Sequence, residues 1–390
     1  VKSGSWPSIG LIYLHGVLTS ASLSKIIPLQ GDYIVHAGVK PGSVALLIAL
    51  VTVPSAVFAT VGGSFIDRIG ARTALIAAAT IGMLANIAYL LANSVPAFQG
   101  IRLFEGLIMV CAYSAAPALI MSTTSAQRRG RAMALWSTYT PVGISLGLLL
   151  SSSFAGTENW RGGYAIHAGL FAALAIASFM LPRPAAPPSG ARARPGMFDA
   201  YRQIGPLRLS LTFACLVFMG FGTSTVLPGW LSAQHAMAVG TASRIIAVAN
   251  LTMIVGGVTA GVLLARGLRD HALFLVITAL VIAVAVPLYL PGLAQTPRLL
   301  ALVAWMMLSG AAIAIVTAAL PRVVRDASQG AAAAGLLSQL AALTTFATPQ
   351  IWLPILASGR WPLFIVVVAI AALAGLMLFP RARSERLNAG

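Results

Sequence analysis

Arg102 and Glu105 stand three residues apart inside the apolar run 97–122. That spacing sets both on one face of a helix, and Tyr113 follows eight residues beyond Glu105 on the same stripe. With a helix starting near Pro96 and rising 1.5 Å per residue, Arg102 lies about 9 Å deep and Glu105 about 14 Å deep. Charges at such depth in hydrocarbon are costly and mark function. An arginine stays charged there, whereas a carboxylate can exchange a proton as its surroundings change. A fixed cation beside a switchable acid suits proton-coupled transport or contact with a charged solute; a structural ion pair between helices is the alternative. On the run 8–29, His15, Thr19, Ser22 and Lys25 recur at helical spacing and form one polar stripe. Lys25 sits near one end of that run, where snorkelling to the interface competes with a role in a site. For His15 a satisfied core position competes with proton transfer. Ser338 and Thr345 begin a comparable stripe on the run 331–356, and Tyr139 is an aromatic candidate for shaping a cavity.

The elements that carry these residues follow from composition. Hydrophobic residues make up 58% of the 390, charged residues 8%, and the mean hydropathy is +0.90. A soluble chain has about 45–50% apolar residues. Runs such as 43–66 and 272–290 reach the length of about 20 residues that a helix needs to cross a bilayer, and neither alternates with period two as a β-barrel strand would. Twelve spans are expected, near 8–29, 43–66, 73–92, 97–122, 131–155, 163–181, 206–230, 242–265, 272–290, 298–320, 331–356 and 361–380.

The net charge is +17 and the pI about 11.3. With the N-terminus inside, most of the 25 basic residues fall on one side, among them Arg68, Arg72, Arg128, Arg129, Arg131, Arg266, Arg269, Arg322 and Arg325. This is the positive-inside pattern, and it places both termini in the cytoplasm. Short loops between spans offer no continuous basic face for nucleic acid. Cys111 and Cys215 lie in different spans and read as buried hydrophobes rather than a disulfide. The first span is expected to serve as an uncleaved insertion signal. No P-loop, H-E-x-x-H, G-x-S-x-G or Cys/His cluster occurs, so neither ATP-driven, hydrolytic nor metal chemistry is expected, and no cofactor.

The segment 182–205, rich in Pro, Gly and Arg, reads as a cytoplasmic linker between two six-helix halves, 1–181 and 206–390. Gly63 and Gly261, Arg102 and Arg298, and Pro28 and Pro228 each stand about 200 residues apart, as a duplicated unit would place them.

The stretch "GGSFIDRIGARTAL" (62–75) concentrates charge in a chain that avoids it. Gly63 and Gly70 permit close helix approach and a tight turn. Asp67 can accept hydrogen bonds from arginines or from the free N–H groups of a helix start. Gly63, Asp67, Arg68, Gly70 and Arg72 match the signature that the major facilitator superfamily carries between its second and third helices. "RLFEG" (102–106) is similar to the family's fourth-helix R-x-x-Q-G motif, with Glu105 where Gln is common. The resemblance implies a twelve-helix fold of two pseudo-symmetric halves. It also implies a cytoplasmic latch at Gly63, Asp67, Arg68, Gly70 and Arg72, closing on a partner helix that starts near 326–335. The second half departs from the pattern, with Ala265 where the Asp would stand. The Gly-Pro pair typical of the family's drug antiporters is missing from "TPVGISLG" (140–147).

The expectation is therefore an all-α, multi-pass protein of the plasma (inner) membrane that works as a monomer and is not an enzyme. Its partners would be a small-molecule substrate, protons and the bilayer. Because Lys25 and Arg102 outnumber Glu105 inside spans, an organic anion such as a carboxylate is the expected solute. A proton antiporter for hydrophobic or cationic compounds is the alternative.

Overall fold

The structure is a computed structural model that describes residues 4–182, 202–324 and 330–380; the side chains of 59–65, 67, 126, 127 and 330–332 lie outside the description. In chain order the first half contains α1 (Trp6–Ser24), α2 (Gln30–Val35), α3 (Pro41–Ala49), α4 (Val53–Ile69), α5 (Ala71–Leu91), α6 (Val95–Thr123), α7 (Ala126–Trp136), α8 (Tyr139–Ser152) and α9 (Gly162–Ser178). The second half contains α10 (Ile204–His235), α11 (Val239–Ala265), α12 (Asp270–Tyr289), α13 (Gln295–Val323), α14 (Gly330–Ser358) and α15 (Pro362–Leu378). Among the described residues no strand occurs. Among the described residues ten helical stretches are long and apolar enough to cross a membrane, and two shorter apolar helices, Gly162–Ser178 and Pro362–Leu378, fill the remaining expected positions.

Local sequence sets the helix ends. Ser5 and Ser94 accept hydrogen bonds from Ser8 N and Ala97 N, both at 3.4 Å, and a proline follows each cap within two residues. Gly70 joins α4 to α5 with φ +86°, a conformation that suits glycine and makes the tight turn expected there.

Three expected spans are interrupted. The second breaks into α3 and α4 around a short 3₁₀ turn, Leu50–Thr52. Pro54 supplies no N–H there, and Thr52 Oγ1 donates to Ala49 O at 2.8 Å. The fifth divides into α7 and α8 at Ser137 and Thr138, whose hydroxyls donate to Ala134 O and Leu135 O. The first ends at Ser24, before a 3₁₀ turn containing Pro28 and the short α2. By contrast α10 runs unbroken through Pro228, so the repeat partners Pro28 and Pro228 occupy different local structures. Asp32 lies in α2, is 5% exposed, and accepts the N–H of Gly156 at 3.0 Å.

By contact the chain divides into two compact units. The first holds residues 4–182 with 221–251 and 342–360. In it α1 packs along α8, α5 along α6 and α9, and α4 along α6. Small residues allow these approaches: a Cβ on Gly143 would overlap the Val17 carbonyl oxygen, and one on Gly147 that of Ala21. Asn250 Nδ2 donates to Pro141 O at 2.8 Å and Ser145 Oγ to Ala247 O at 2.7 Å, tying α8 to the 239–251 part of α11. The second unit holds 202–220, 252–324, 330–341 and 361–380. There α12 packs on α13 and α15, and Gly256 and Gly310 let α11 and α13 meet backbone to backbone. Leu251, Val255, Val258 and Val262 form an exposed stripe at helical spacing on α11, and Val366, Ile370, Leu373 and Met377 do so on α15. Such apolar outer faces suit lipid rather than water as solvent.

Candidate functional site

In the first unit, Lys25, Arg102 and Glu105 come together, each 0% exposed. Arg102 occupies the junction of two interrupted elements. Its Nε donates to Leu47 O at 3.2 Å and its Nη2 to Leu23 O and Ile48 O, both at 3.2 Å. Its Nη1 donates to Ser22 O at 2.7 Å and to Glu105 Oε2 at 2.8 Å. All five guanidinium N–H groups are thereby satisfied. The four carbonyls belong to the last turns of α1 and α3, where a helix leaves acceptors unpaired and its dipole favours a cation. The breaks in the first two spans and the buried arginine are thus parts of one arrangement.

Gly106 completes it. A Cβ there would overlap the Val51 carbonyl oxygen and approach Pro54 Cδ to 2.7 Å, so only a glycine lets α6 lie against the break between α3 and α4. The "RLFEG" run therefore has a local reading: Arg102 caps the broken helices, Gly106 admits them, and Glu105 faces the other side.

There the Glu105 carboxylate accepts from Lys25 Nζ through Oε1, and from Arg102 and Tyr89 Oη (3.1 Å) through Oε2. Lys25 follows the last residue of α1, so the helix end aims it inward instead of leaving it at an interface, and the snorkelling alternative does not hold. Its Nζ also donates to Asn86 Oδ1 at 2.6 Å and lies 4.7 Å from the Tyr89 ring centroid and 5.2 Å from that of Tyr164. Tyr164 and Tyr33 share a hydroxyl–hydroxyl bond, and Tyr89 stacks on Tyr164 with centroids 4.5 Å apart. The cluster holds two cations and one carboxylate, enclosed by aromatic rings. Burial strengthens these attractions and makes loss of any one partner expensive.

The other expected residues have separate places. His15 Nε2 and Ser178 Oγ are 2.8 Å apart, joining α1 to α9, and Thr19 Oγ1 donates to His15 O at 2.6 Å. Ser22 contributes its carbonyl to Arg102, while its buried hydroxyl has no partner among the described residues. Tyr113 Oη lies 3.0 Å from Ser20 Oγ, and its ring is 5.1 Å from that of Tyr139. Ser338 is exposed and lies in the second unit, whereas Thr345 is buried and lies in the first. Within the expected latch, Arg68 is exposed and Arg72 Nη2 donates to Phe179 O at 2.6 Å. The side chains of Gly63 and Asp67 fall outside the described residues, as does most of the expected partner segment 326–335.

Asn86, Tyr89 and Tyr164 were not singled out from sequence. Asn86 with Tyr89 is a polar pair at i, i+3 in an apolar span, as is Tyr164 with His167, and that repeated spacing is the signal that could have found them.

The sequence profile of the Major Facilitator Superfamily matches residues 12–346. Among solved structures the chain is similar to a bacterial homolog of the human lysosomal transporter Spinster in an inward-facing, unoccupied conformation. The identity is 15%, the match covers 96% of this chain and 95% of that one, and the TM-score is 0.72. A bacterial Spinster homolog in an inward-facing, occupied conformation matches with the same identity and coverage and a TM-score of 0.68. At this identity the likeness is one of fold. No curated protein matches. Since the family profile covers most of the chain and the helical fold agrees with it, the chain belongs to the major facilitator superfamily.

Proposed function

We propose that this multi-pass transporter moves a small organic anion, such as a carboxylate, by alternating access coupled to protons, in the plasma membrane with both termini cytoplasmic. The supporting observation is the buried Lys25–Arg102–Glu105 cluster, whose two cations and one carboxylate leave an excess positive charge inside an apolar bundle. Charges kept at such expense inside a span mark function. Coupling would require Glu105 to lose at least one of its cations in another conformation, since a proton competes poorly with two of them. The segment Gly63–Arg72 serves in this reading as the cytoplasmic latch, with Gly70 as its turn.

A second reading has an observation in its favour. Every N–H of Arg102 already has an acceptor within the protein, so this arginine offers nothing to an incoming carboxylate without rearrangement. Glu105 would then be the group that a lipophilic cation contests, as in proton antiport. Uptake into proteoliposomes separates the two. Anion symport predicts accumulation of a labelled carboxylate driven by an imposed proton gradient and abolished by a protonophore. Gradient-driven exchange of a lipophilic cation, with no carboxylate uptake, would overturn the anion reading.

A further inference from the structure

His167 is fully buried on α9, and among the described residues both its ring nitrogens lack a hydrogen-bond partner. The packing of α9 against α5 locates it. Tyr89 stacks on Tyr164, and Gly82 lies under the Phe171 ring, where a Cβ would overlap it. In that antiparallel register Asn86 stands opposite His167. The Asn86 amide is committed elsewhere: its Oδ1 accepts from Lys25 at 2.6 Å, and its Nδ2 donates to Gly82 O at 2.7 Å. The imidazole therefore borders the buried cluster without bonding to it.

The ionisable groups on the elements packed against α9 are Tyr13, His15 and Lys25 on and just after α1, Arg72 and Tyr89 on α5, and Tyr139 on α8, with Tyr164 on α9 itself; Glu105 of α6 joins them through Lys25 and Tyr89, and Arg102 through Glu105. An imidazolium carries two N–H donors and needs two acceptors, whereas the ring has none in the arrangement observed. The neutral form is the one that fits here. Gaining a proton demands a different arrangement, in which water enters or the Glu105 carboxylate turns away from Lys25 toward the ring.

We propose that His167 is the proton-binding group of the first six helices, taking up a proton as the Lys25–Glu105 contact opens and releasing it as that contact closes. This rests on the proton-coupled reading above and names the site for it. In the uptake step, a proton from water forms an N–H bond with the lone pair of the unprotonated ring nitrogen. Glu105, freed from Lys25, is the counter-ion within reach of the cluster. In the release step the proton returns to water and the Lys25–Glu105 contact re-forms. Protonation and rearrangement thereby become a single event, which is what coupling requires.

The test uses the full-length protein with ¹⁵N-labelled histidine. Of the five histidines, the His167 signal is identified by its loss in His167→Gln and, as a second variant, His167→Met. Nitrogen shifts report ring protonation directly between about pH 5 and pH 8. The proposal expects the His167 ring to become protonated within that range, and expects Glu105→Gln to change the extent. It also expects both His167 variants to lose proton-driven accumulation relative to their own substrate exchange in the same vesicles. A His167 ring neutral throughout, or accumulation equal to the parent in both variants, overturns it. If the ring stays neutral while Glu105→Gln abolishes accumulation, the proton-coupled reading stands and the assignment to His167 falls. If the ring titrates but no substrate responds to a proton gradient, the coupled-transport reading falls and the proton site remains.

Discussion

Replacing Lys25 by methionine keeps an unbranched side chain one atom shorter and removes one of the two cations that hold Glu105. Breaking a buried ion pair from one side costs about 3–5 kcal/mol when the remaining charge is left uncompensated. Here Arg102 and Tyr89 continue to serve the carboxylate and leave it compensated, so the loss is that of one hydrogen bond to a charged group, about 1.5–3 kcal/mol. Asn86 Oδ1 loses its only donor among the described contacts, which adds about 1 kcal/mol. Lys25→Met should therefore destabilise the protein by about 2.5–4 kcal/mol. The assay is reversible unfolding in mixed micelles titrated with sodium dodecyl sulfate, followed by tryptophan fluorescence. Glu105→Gln strands Lys25 in turn, and the combined variant should fall short of the sum of the single effects by about 2 kcal/mol, since the two residues share one contact. A loss below about 1 kcal/mol for Lys25→Met, or strict additivity in the double variant, would contradict the picture of a tightly coupled buried cluster.

Gly106→Ala should cost about 1–3 kcal/mol in the same assay, because its methyl meets a backbone carbonyl and a proline ring that cannot turn aside; a neutral effect would mean that α6 does not lie against the break in the second span. Asp67→Asn should weaken the proposed latch, shifting the protein toward inward-facing states with near-normal membrane insertion. Cysteine-accessibility labelling from both membrane faces checks this, and labelling identical to the parent would remove Asp67 from the latch.

The twelve apolar runs were legible because a bilayer forces each crossing helix to satisfy its own backbone within about 20 apolar residues. Arg102 and Glu105 were legible for a related reason: a charge pair at helical spacing stands out where charge is scarce. Their partner was not. Lys25 lies 80 positions from Glu105, and on one strip of sequence its place at the end of a span fits snorkelling equally well. The helix break after Ala49 decides what Arg102 binds, yet the run 43–66 reads as one uninterrupted helix, since Pro54 alone does not reveal that a guanidinium caps the turn before it. Asn86, Tyr89, Tyr164 and His167 escaped notice because isolated amides, phenols and imidazoles in spans also serve packing. Their shared register appears only when α5 is laid against α9.

The central claim is that the Lys25–Arg102–Glu105 cluster opens and re-forms as a proton is taken up and released during transport. Glu105→Gln tests it most directly, because glutamine keeps the shape and the acceptor oxygen while fixing the group in an uncharged form. The measurement is the ratio of proton-driven accumulation to substrate exchange in proteoliposomes containing equal amounts of folded protein. The account predicts that exchange persists and accumulation against a gradient is lost, so the ratio collapses. Accumulation equal to that of the parent would contradict it and leave the cluster a purely structural one.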